Sequence, residues 1–295
     1  MEERMKKQGR FRLWIQVIFT ALVNGYAIGF VKGQIFRGES KAICVPVLNC
    51  YSCPGALGAC PIGALRAVLG NRGNQMAFYV LGTLMLFGVA FGRLICGFLC
   101  PFGLVQDLLH KIPLPKWELP RAVDRPLRLL KYVMLVGLVI LAPMVIVNEF
   151  GIGAPAFCKW ICPAGTLGGA FPLLSMNDSL RAGLGMLFSW KVAVLVVIVV
   201  ASVVMARPFC KYLCPLGAFY GLFNRFSLYQ LAIDHNACVD CKKCEQVCPM
   251  QVEVTKNINS AECIRCGCCK AACPQDAIYS GFTMTELAVG KTKEN

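Results

Sequence analysis

Nineteen cysteines, set in two recurring spacings, constrain this 295-residue chain more than any other feature. The first spacing is Cys238-x-x-Cys241-x-x-Cys244-x-x-x-Cys248-Pro249, repeated as Cys263-x-x-Cys266-x-x-Cys269-x-x-x-Cys273-Pro274. Thiolates spaced in this way hold four-iron clusters, each copy supplying three ligands locally and lending its fourth to the other cluster. One [4Fe–4S] cluster is therefore expected on Cys238, Cys241, Cys244 and Cys273, and a second on Cys263, Cys266, Cys269 and Cys248. The proline turns the chain away after the last ligand, and Cys268 is surplus. A zinc ribbon or a set of inert buried thiols would not require the doubled spacing. An odd cysteine count in this pattern argues against a secreted disulfide framework and for thiolates kept reduced, so part of the chain faces a reducing compartment.

The second spacing is a Cys-x-x-x-Cys-Pro-x-Gly unit. It occurs at Cys96 and Cys100, at Cys158 and Cys162, and at Cys210 and Cys214, with a partial copy in Cys60-Pro61-Ile62-Gly63. Proline is favoured at the first position of a helix, which places the preceding cysteine at the cap. Free N–H groups and the positive helix end then face the sulfur and stabilise a thiolate or a negatively charged cluster. The apolar stretches after Cys162 and Cys214 are too short to cross a bilayer, which predicts re-entrant half-helices packed within protein.

A 57% hydrophobic composition exceeds that of ordinary soluble domains, about 45–50%, and identifies a membrane protein. Four segments have the length and apolarity of spans: Leu13 to Val31, Met76 to Leu94, Tyr132 to Asn148 and Phe188 to Ala206. The formal charge of +14 sits beside these segments, where it reports orientation and not nucleic-acid binding. Arg4, Lys6, Lys7, Arg10 and Arg12 mark a cytoplasmic start, and Lys111, Lys116, Arg121, Arg125 and Arg128 a cytoplasmic connection. The loop after the third span carries only Lys159 and Arg181 and is expected outside. The loop from Lys32 to Gln75 is assigned outside by the four-span count, although it carries Lys32, Arg37, Lys41, Arg66 and Arg72. The expected fold is thus mainly α: a multi-pass protein of the cell (cytoplasmic) membrane with four transmembrane helices and re-entrant half-helices, followed by a ferredoxin-like α+β two-cluster domain. The expected boundaries are 1–233 for the transmembrane domain, 234–282 for the cytoplasmic ferredoxin domain and 283–295 for a tail.

Sidedness sorts the remaining cysteines. Cys96, Cys100, Cys210 and Cys214 end the second and fourth spans on the cytoplasmic side and make one cluster site. On the outer side Cys53, Cys60, Cys158 and Cys162 are the expected ligands of a further cluster, with Cys44 and Cys50 as alternates or a disulfide pair. That makes two clusters in the ferredoxin domain and two in the membrane domain. His110 and His235, the only histidines, lie outside the spans, which argues against two-histidine haem ligation. Asn24 and Glu149 are polar groups at or near membrane depth, open to a quinone or proton path as well as to packing. No glycine loop for a nucleotide phosphate and no nucleophile with its base is present, so no catalytic residue is assigned.

The unit Cys210-Lys-Tyr-Leu-Cys-Pro-Leu-Gly-Ala-Phe-Tyr-Gly-Leu-Phe, the upstream Cys96-Gly-Phe-Leu-Cys-Pro and the trailing double run resemble the NapH/MauN-type membrane ferredoxins over roughly residues 76–282. The resemblance implies a four-span protein with a cytoplasmic ferredoxin domain, an electron-transfer subunit of an oxidoreductase complex. Such a subunit relays electrons between the quinone pool or cytosolic donors and an extracytoplasmic partner, a flavoprotein or a cytochrome. The Asn49-Cys50-Tyr51-Ser52-Cys53-Pro54 loop and the pair at Cys158 go beyond what the nitrate-reductase type needs. If these outer thiols hold a cluster, redox centres run from the cytoplasm to the far face. The alternative is an accessory factor that supplies electrons for the maturation of another metalloenzyme.

Overall fold

The computed structural model describes residues 1–69, 77–147 and 153–282, and within them the chain is mainly helical. Met76, Asn148, Glu149 and the expected tail lie outside the described residues.

Each expected span shifts for a local reason. The amino-terminal helix, Glu2–Val23, starts before Leu13 and stops short of Val31. At its end the Leu57 N–H donates to the Val23 carbonyl (3.0 Å) and the Tyr26 N–H to the Gly55 carbonyl (3.2 Å), so a cysteine-bearing loop takes the backbone groups that would continue the helix. Gly55 permits the approach, because a Cβ there would stand 2.4 Å from the Phe30 ring. The chain resumes as Ala27–Lys32 and is stopped by Gly33 at φ +61. The second segment, Ala77–Phe91, ends at Gly92, whose φ of +51 and whose contact with Asn224 exclude a side chain. The third is a helical run, Arg121–Val145, that begins within the basic connection and contains a π-helical stretch, Met134–Leu141. The fourth is Met186–Val204.

Among the described residues two helices are long and apolar enough to cross a membrane, Arg121–Val145 and Met186–Val204. Both turn apolar side chains outward; Val133 is 62% exposed, Val145 77% and Val197 67%. Glu2–Val23 is long enough but densely charged in its first half, and Ala77–Phe91 is too short. The expectation of four is thus matched by length and composition at two.

Two antiparallel strands, β1 (Tyr229–Ile233) and β2 (Ile278–Phe282), pair with Tyr229 opposite Phe282 and enclose the double cysteine run. β1 precedes the expected boundary at Asp234. Between the strands, left-handed residues recur in register with the repeat: Asp240 and Arg265, Lys242 and Gly267, Gln251 and Asp276. The two copies therefore share one backbone path, curled tightly by a positive φ on either side of the second cysteine and again three residues after the fourth.

The cysteine-rich tail is clamped to the helices by a buried ion triad. Glu262 accepts from Arg93 Nη1 (3.1 Å) and from Lys131 Nζ (2.5 Å), and neither cationic side chain is exposed. Asn224 donates to the carbonyls of Ser260 (2.8 Å) and Cys263 (2.7 Å), and Arg265 donates to those of Phe91 and Asn224. Burial alone would raise the Glu262 carboxyl, but Arg93 and Lys131 outweigh it and hold the group below the ordinary carboxylate value. A depressed folded pKa means that this stabilisation is complete above the unfolded carboxylate value and is lost as the pH falls through the folded one. Glu262→Gln leaves two buried cations without a counter-charge, and breaking such a pair costs about 3–5 kcal/mol. The variant is expected to melt well below the wild type at neutral pH, with the gap closing in acid; equal melting midpoints at pH 7 would refute the clamp.

Candidate metal centres

The Cys-Pro units fold as helix caps. Cys100 caps Pro101–His110, Cys214 caps Pro215–Phe223 and Cys162 caps Pro163–Gly165, each with proline in the first turn. Pro61 begins Pro61–Leu69 in the same way. At Cys214 the sulfur accepts from the Gly217 N–H at 3.4 Å, using one of the free amides of the first turn.

Four of these thiols come together on the side facing the cysteine-rich tail. Cys214 lies within electrostatic reach of Cys210, Cys96 and Cys100, and all four are buried. Two buried arginines tie their units together crosswise. Arg93, three residues before Cys96, donates to the Cys210 carbonyl (3.1 Å), and Arg207, three residues before Cys210, donates to the Cys96 carbonyl (2.7 Å). Each guanidinium also lies over the glycine of the opposite unit: a Cβ at Gly217 would stand 3.3 Å from Arg93 Nη2, and one at Gly103 3.3 Å from Arg207 Nη2. Glycine at these two positions leaves room for the crossed guanidinium groups. Arg207 is further held by both oxygens of Asp107 (2.8 and 2.5 Å), and it adopts a left-handed φ of +49 directly before Pro208. That conformation is unfavourable before proline and is retained because the surrounding bonds over-determine it. Gln106 completes the surround, donating to the Cys210 sulfur at 3.1 Å and accepting from the Phe209 N–H.

A second group forms around Cys162, which lies within reach of Cys158, Cys60 and Cys50. Cys53 and Cys50 both border this group: Cys53 Sγ is 3.6 Å from Asn24 Oδ1 and a Cβ on Gly168 would meet it at 3.9 Å, while a Cβ on Gly165 would meet Cys50 Sγ at 3.6 Å. Cys44 sits apart, bridged to Ala59. No arginine precedes Cys158; Pro155 holds that position. The buried cation at this group is Lys41, which donates to the Ala56 carbonyl (2.7 Å), covers the Tyr51 ring and interacts with Cys53 and Cys50.

In the tail the two copies cross. One cavity is lined by Cys238, Cys241, Cys244 and Cys273, and another by Cys263, Cys266, Cys269 and Cys248, with Cys268 at its wall. The Arg265 N–H donates to the Cys263 sulfur (3.4 Å) and the Val252 N–H to the Cys248 sulfur (3.5 Å). Cys268, left over from the two sets of four, borders the same cavity as Cys266 and Cys269. His235 opens on a groove beside Cys238, and His110 ends the Pro101–His110 helix.

Among the described residues no three histidine, cysteine or carboxylate side chains take the geometry of a single-ion site. A cubane differs in that its four thiolates each bind a separate iron, so its ligands stand further apart than those of one ion. Four-cysteine cavities with apolar walls and inward N–H donors fit such a cluster. Sequence reasoning missed Arg93, Arg207, Asp107, Gln106 and Glu262. The one available signal was an arginine three residues ahead of two units and missing from the third.

Models described as a 4Fe-4S binding domain match residues 74–120, 131–175 and 186–229, and a second of that description matches 256–279. An uncharacterized protein of Methanocaldococcus jannaschii is 32% identical over 224 residues, covering 74% of this chain and 82% of that relative. The methylamine utilization ferredoxin-type protein MauN of Paracoccus denitrificans is 32% identical over 54% of the chain and 48% of its own length. The ferredoxin-type protein NapH of Escherichia coli is 26% identical over 68% of the chain and 64% of its own length. No solved structure matches the chain. The fold and the cysteine sites thus define a ferredoxin-type 4Fe-4S electron transport protein. The chain belongs to the family that includes NapH and MauN.

Hydrogen bonds to cluster sulfur stabilise the more negative, reduced state and raise the potential. Cys268→Ala removes a thiol able to donate to cluster sulfur from the wall of the cavity of Cys248, Cys263, Cys266 and Cys269, and is expected to move one of the two tail clusters to a more negative midpoint, read by EPR-monitored redox titration. Two unshifted midpoints would assign Cys268 to packing alone.

Proposed function

We propose that the chain is a transmembrane electron relay with four [4Fe–4S] sites, passing electrons between a cytoplasmic or quinol donor and an extracytoplasmic redox partner, a flavoprotein or cytochrome. The observation that carries this reading is the separation of sixteen of the cysteines into four groups of four. We assign Cys238, Cys241, Cys244 and Cys273 to the first site and Cys263, Cys266, Cys269 and Cys248 to the second. The third is Cys96, Cys100, Cys210 and Cys214, and the fourth Cys50, Cys60, Cys158 and Cys162. Cys50 replaces Cys53 because Cys53 is engaged with Asn24.

The topology proposed is four crossings within 1–233, with the amino terminus and the tail from 234 on the cytoplasmic side. The basic residues beside the helix ends support that orientation, and the outward apolar faces of Arg121–Val145 and Met186–Val204 support contact with lipid. Bound at these thiolates, a cluster would supply one-electron storage without proton transfer. The chain's own residues do the rest. Ile264, Met250 and Phe209 exclude water; the capping amides and buried arginines offset negative charge at the sulfurs; Asp107 and Glu262 neutralise those arginines. Gly97 lets the second site reach the third, since its Cα faces the Ile264 carbonyl where a Cβ would stand at 2.2 Å.

Anaerobically purified protein is expected to hold about 16 irons per chain, against about 8 if only the tail carries clusters. Replacing Cys158 and Cys162 together by serine should bring iron to about 12, abolish transfer to an external acceptor and leave the tail clusters reducible. Wild-type transfer by that variant would overturn the outer site.

A further inference from the structure

One helix touches three of the four thiol groups. Pro215–Phe223 is capped by Cys214 of the third group, and its Gly221 lies against the Ala261 carbonyl, two residues before Cys263 of the second. Between them in sequence stands Tyr220. Its side chain is fully buried, and its hydroxyl donates to the Pro46 carbonyl (3.0 Å) in the loop that runs from Cys44 to Cys60. The hydroxyl interacts electrostatically with Cys96 and Cys100 as well as with Cys44 and Cys60. The buried ring therefore runs from the helix capped by Cys214 to the loop between Cys44 and Cys60, with a hydrogen bond completing that contact.

We propose that the Tyr220 ring is the bridge by which electrons pass between the inner membrane site (Cys96, Cys100, Cys210, Cys214) and the outer one (Cys50, Cys60, Cys158, Cys162). This rests on the four-site reading above. One electron leaves a reduced cluster at the inner thiolates and one oxidised cluster at the outer thiolates gains it; no bond forms, no proton moves and the tyrosine itself stays unoxidised. Tunnelling falls off less steeply through bonded and tightly packed atoms than across gaps, and a buried conjugated ring that spans from one unit to the loop of the other is such a path. Burial suits this role, since the interior is packed as densely as an organic crystal and the ring is held in one position. A purely structural aromatic would fill the same volume, so the test must separate filling from conduction.

Full-length protein in sealed vesicles, with the tail outward, is reduced by external dithionite, and the loss of ferricyanide trapped inside reads the crossing rate. Tyr220→Phe keeps the ring, whereas Tyr220→Met fills the cavity with a flexible chain that adapts to irregular gaps. The expected result is a rate close to wild type for Tyr220→Phe and a severalfold slower one for Tyr220→Met, with iron content and the EPR signals of all sites unchanged in both. A Tyr220→Met rate equal to wild type overturns the bridge, and so does a Tyr220→Phe rate as slow as that of Tyr220→Met. Loss of iron from Tyr220→Met would assign the ring to packing and likewise overturn it. Failure of the four-site reading is seen separately, as wild-type protein lacking the outer cluster's iron before any rate is taken.

Discussion

A guanidinium is costly to bury unless a counter-charge and hydrogen-bond acceptors are brought to it, and meeting that cost at Arg93 and Arg207 organises this molecule. Arg93 and Arg207 are both fully buried. Each spends its donors on a carbonyl of the other's cysteine unit and on a carboxylate from elsewhere, Glu262 in the tail for Arg93 and Asp107 in the Pro101–His110 helix for Arg207. The two units consequently cannot separate without stranding two charges. The four thiols between them inherit their relative positions from this crossed clamp, and the tail is docked by the same ions that hold the inner group together.

Close approach is the second requirement, and glycine supplies it where a side chain would intervene. Gly97 meets the Ile264 carbonyl, Gly221 meets the Ala261 carbonyl, and Gly103 and Gly217 admit the guanidinium groups. Gly97 follows Cys96 directly and Ala261 stands two residues before Cys263, so the contacts at Gly97 and Gly221 bring backbone together near cysteines, while Gly103 and Gly217, three residues after Cys100 and Cys214, admit side chains. Any one Cβ at Gly97 would push the second group away from the third. In a proposed relay that separation governs the rate, and here packing and electron transfer place the same demand on one residue.

What could be read in the linear chain was whatever depends on neighbours along it. The Cys-Pro helix caps and the crossed lining of the tail cavities follow from spacing alone, because a cap or a doubled run is a local device. The span limits were less legible. Glu2–Val23 ends at Asn24 because Leu57 and Gly55, distant in sequence, take its backbone groups, and Ala77–Phe91 ends where Asn224 requires a glycine. Spacing also does not choose between Cys50 and Cys53, since both stand in one short loop, and the proposed choice of Cys50 rests on the contact of Cys53 with Asn24. The arginines were visible as a repeated Arg-x-x-Cys, yet their partners lie on the opposite unit, and a crossed pairing leaves no trace in either segment by itself.

The difference between the two membrane groups follows from the same arginines. Where Arg precedes the unit, the site is closed on itself: Cys96, Cys100, Cys210 and Cys214 are all buried, and each cation is neutralised within the fold. Where Pro155 takes that place, the fourth side is completed by a loop, with Lys41 as its buried cation, and Cys50 and Cys158 remain partly accessible. At the opposite end of the series Cys241 is exposed, while Cys266 and Cys269 behind it are buried. Accessibility thus falls toward the middle of the molecule and rises at both ends. A storage or sensing protein gains nothing from two open ends, whereas a relay needs partners to reach its first and last centres and needs the middle ones kept from solvent, where stray oxidants would divert the electron.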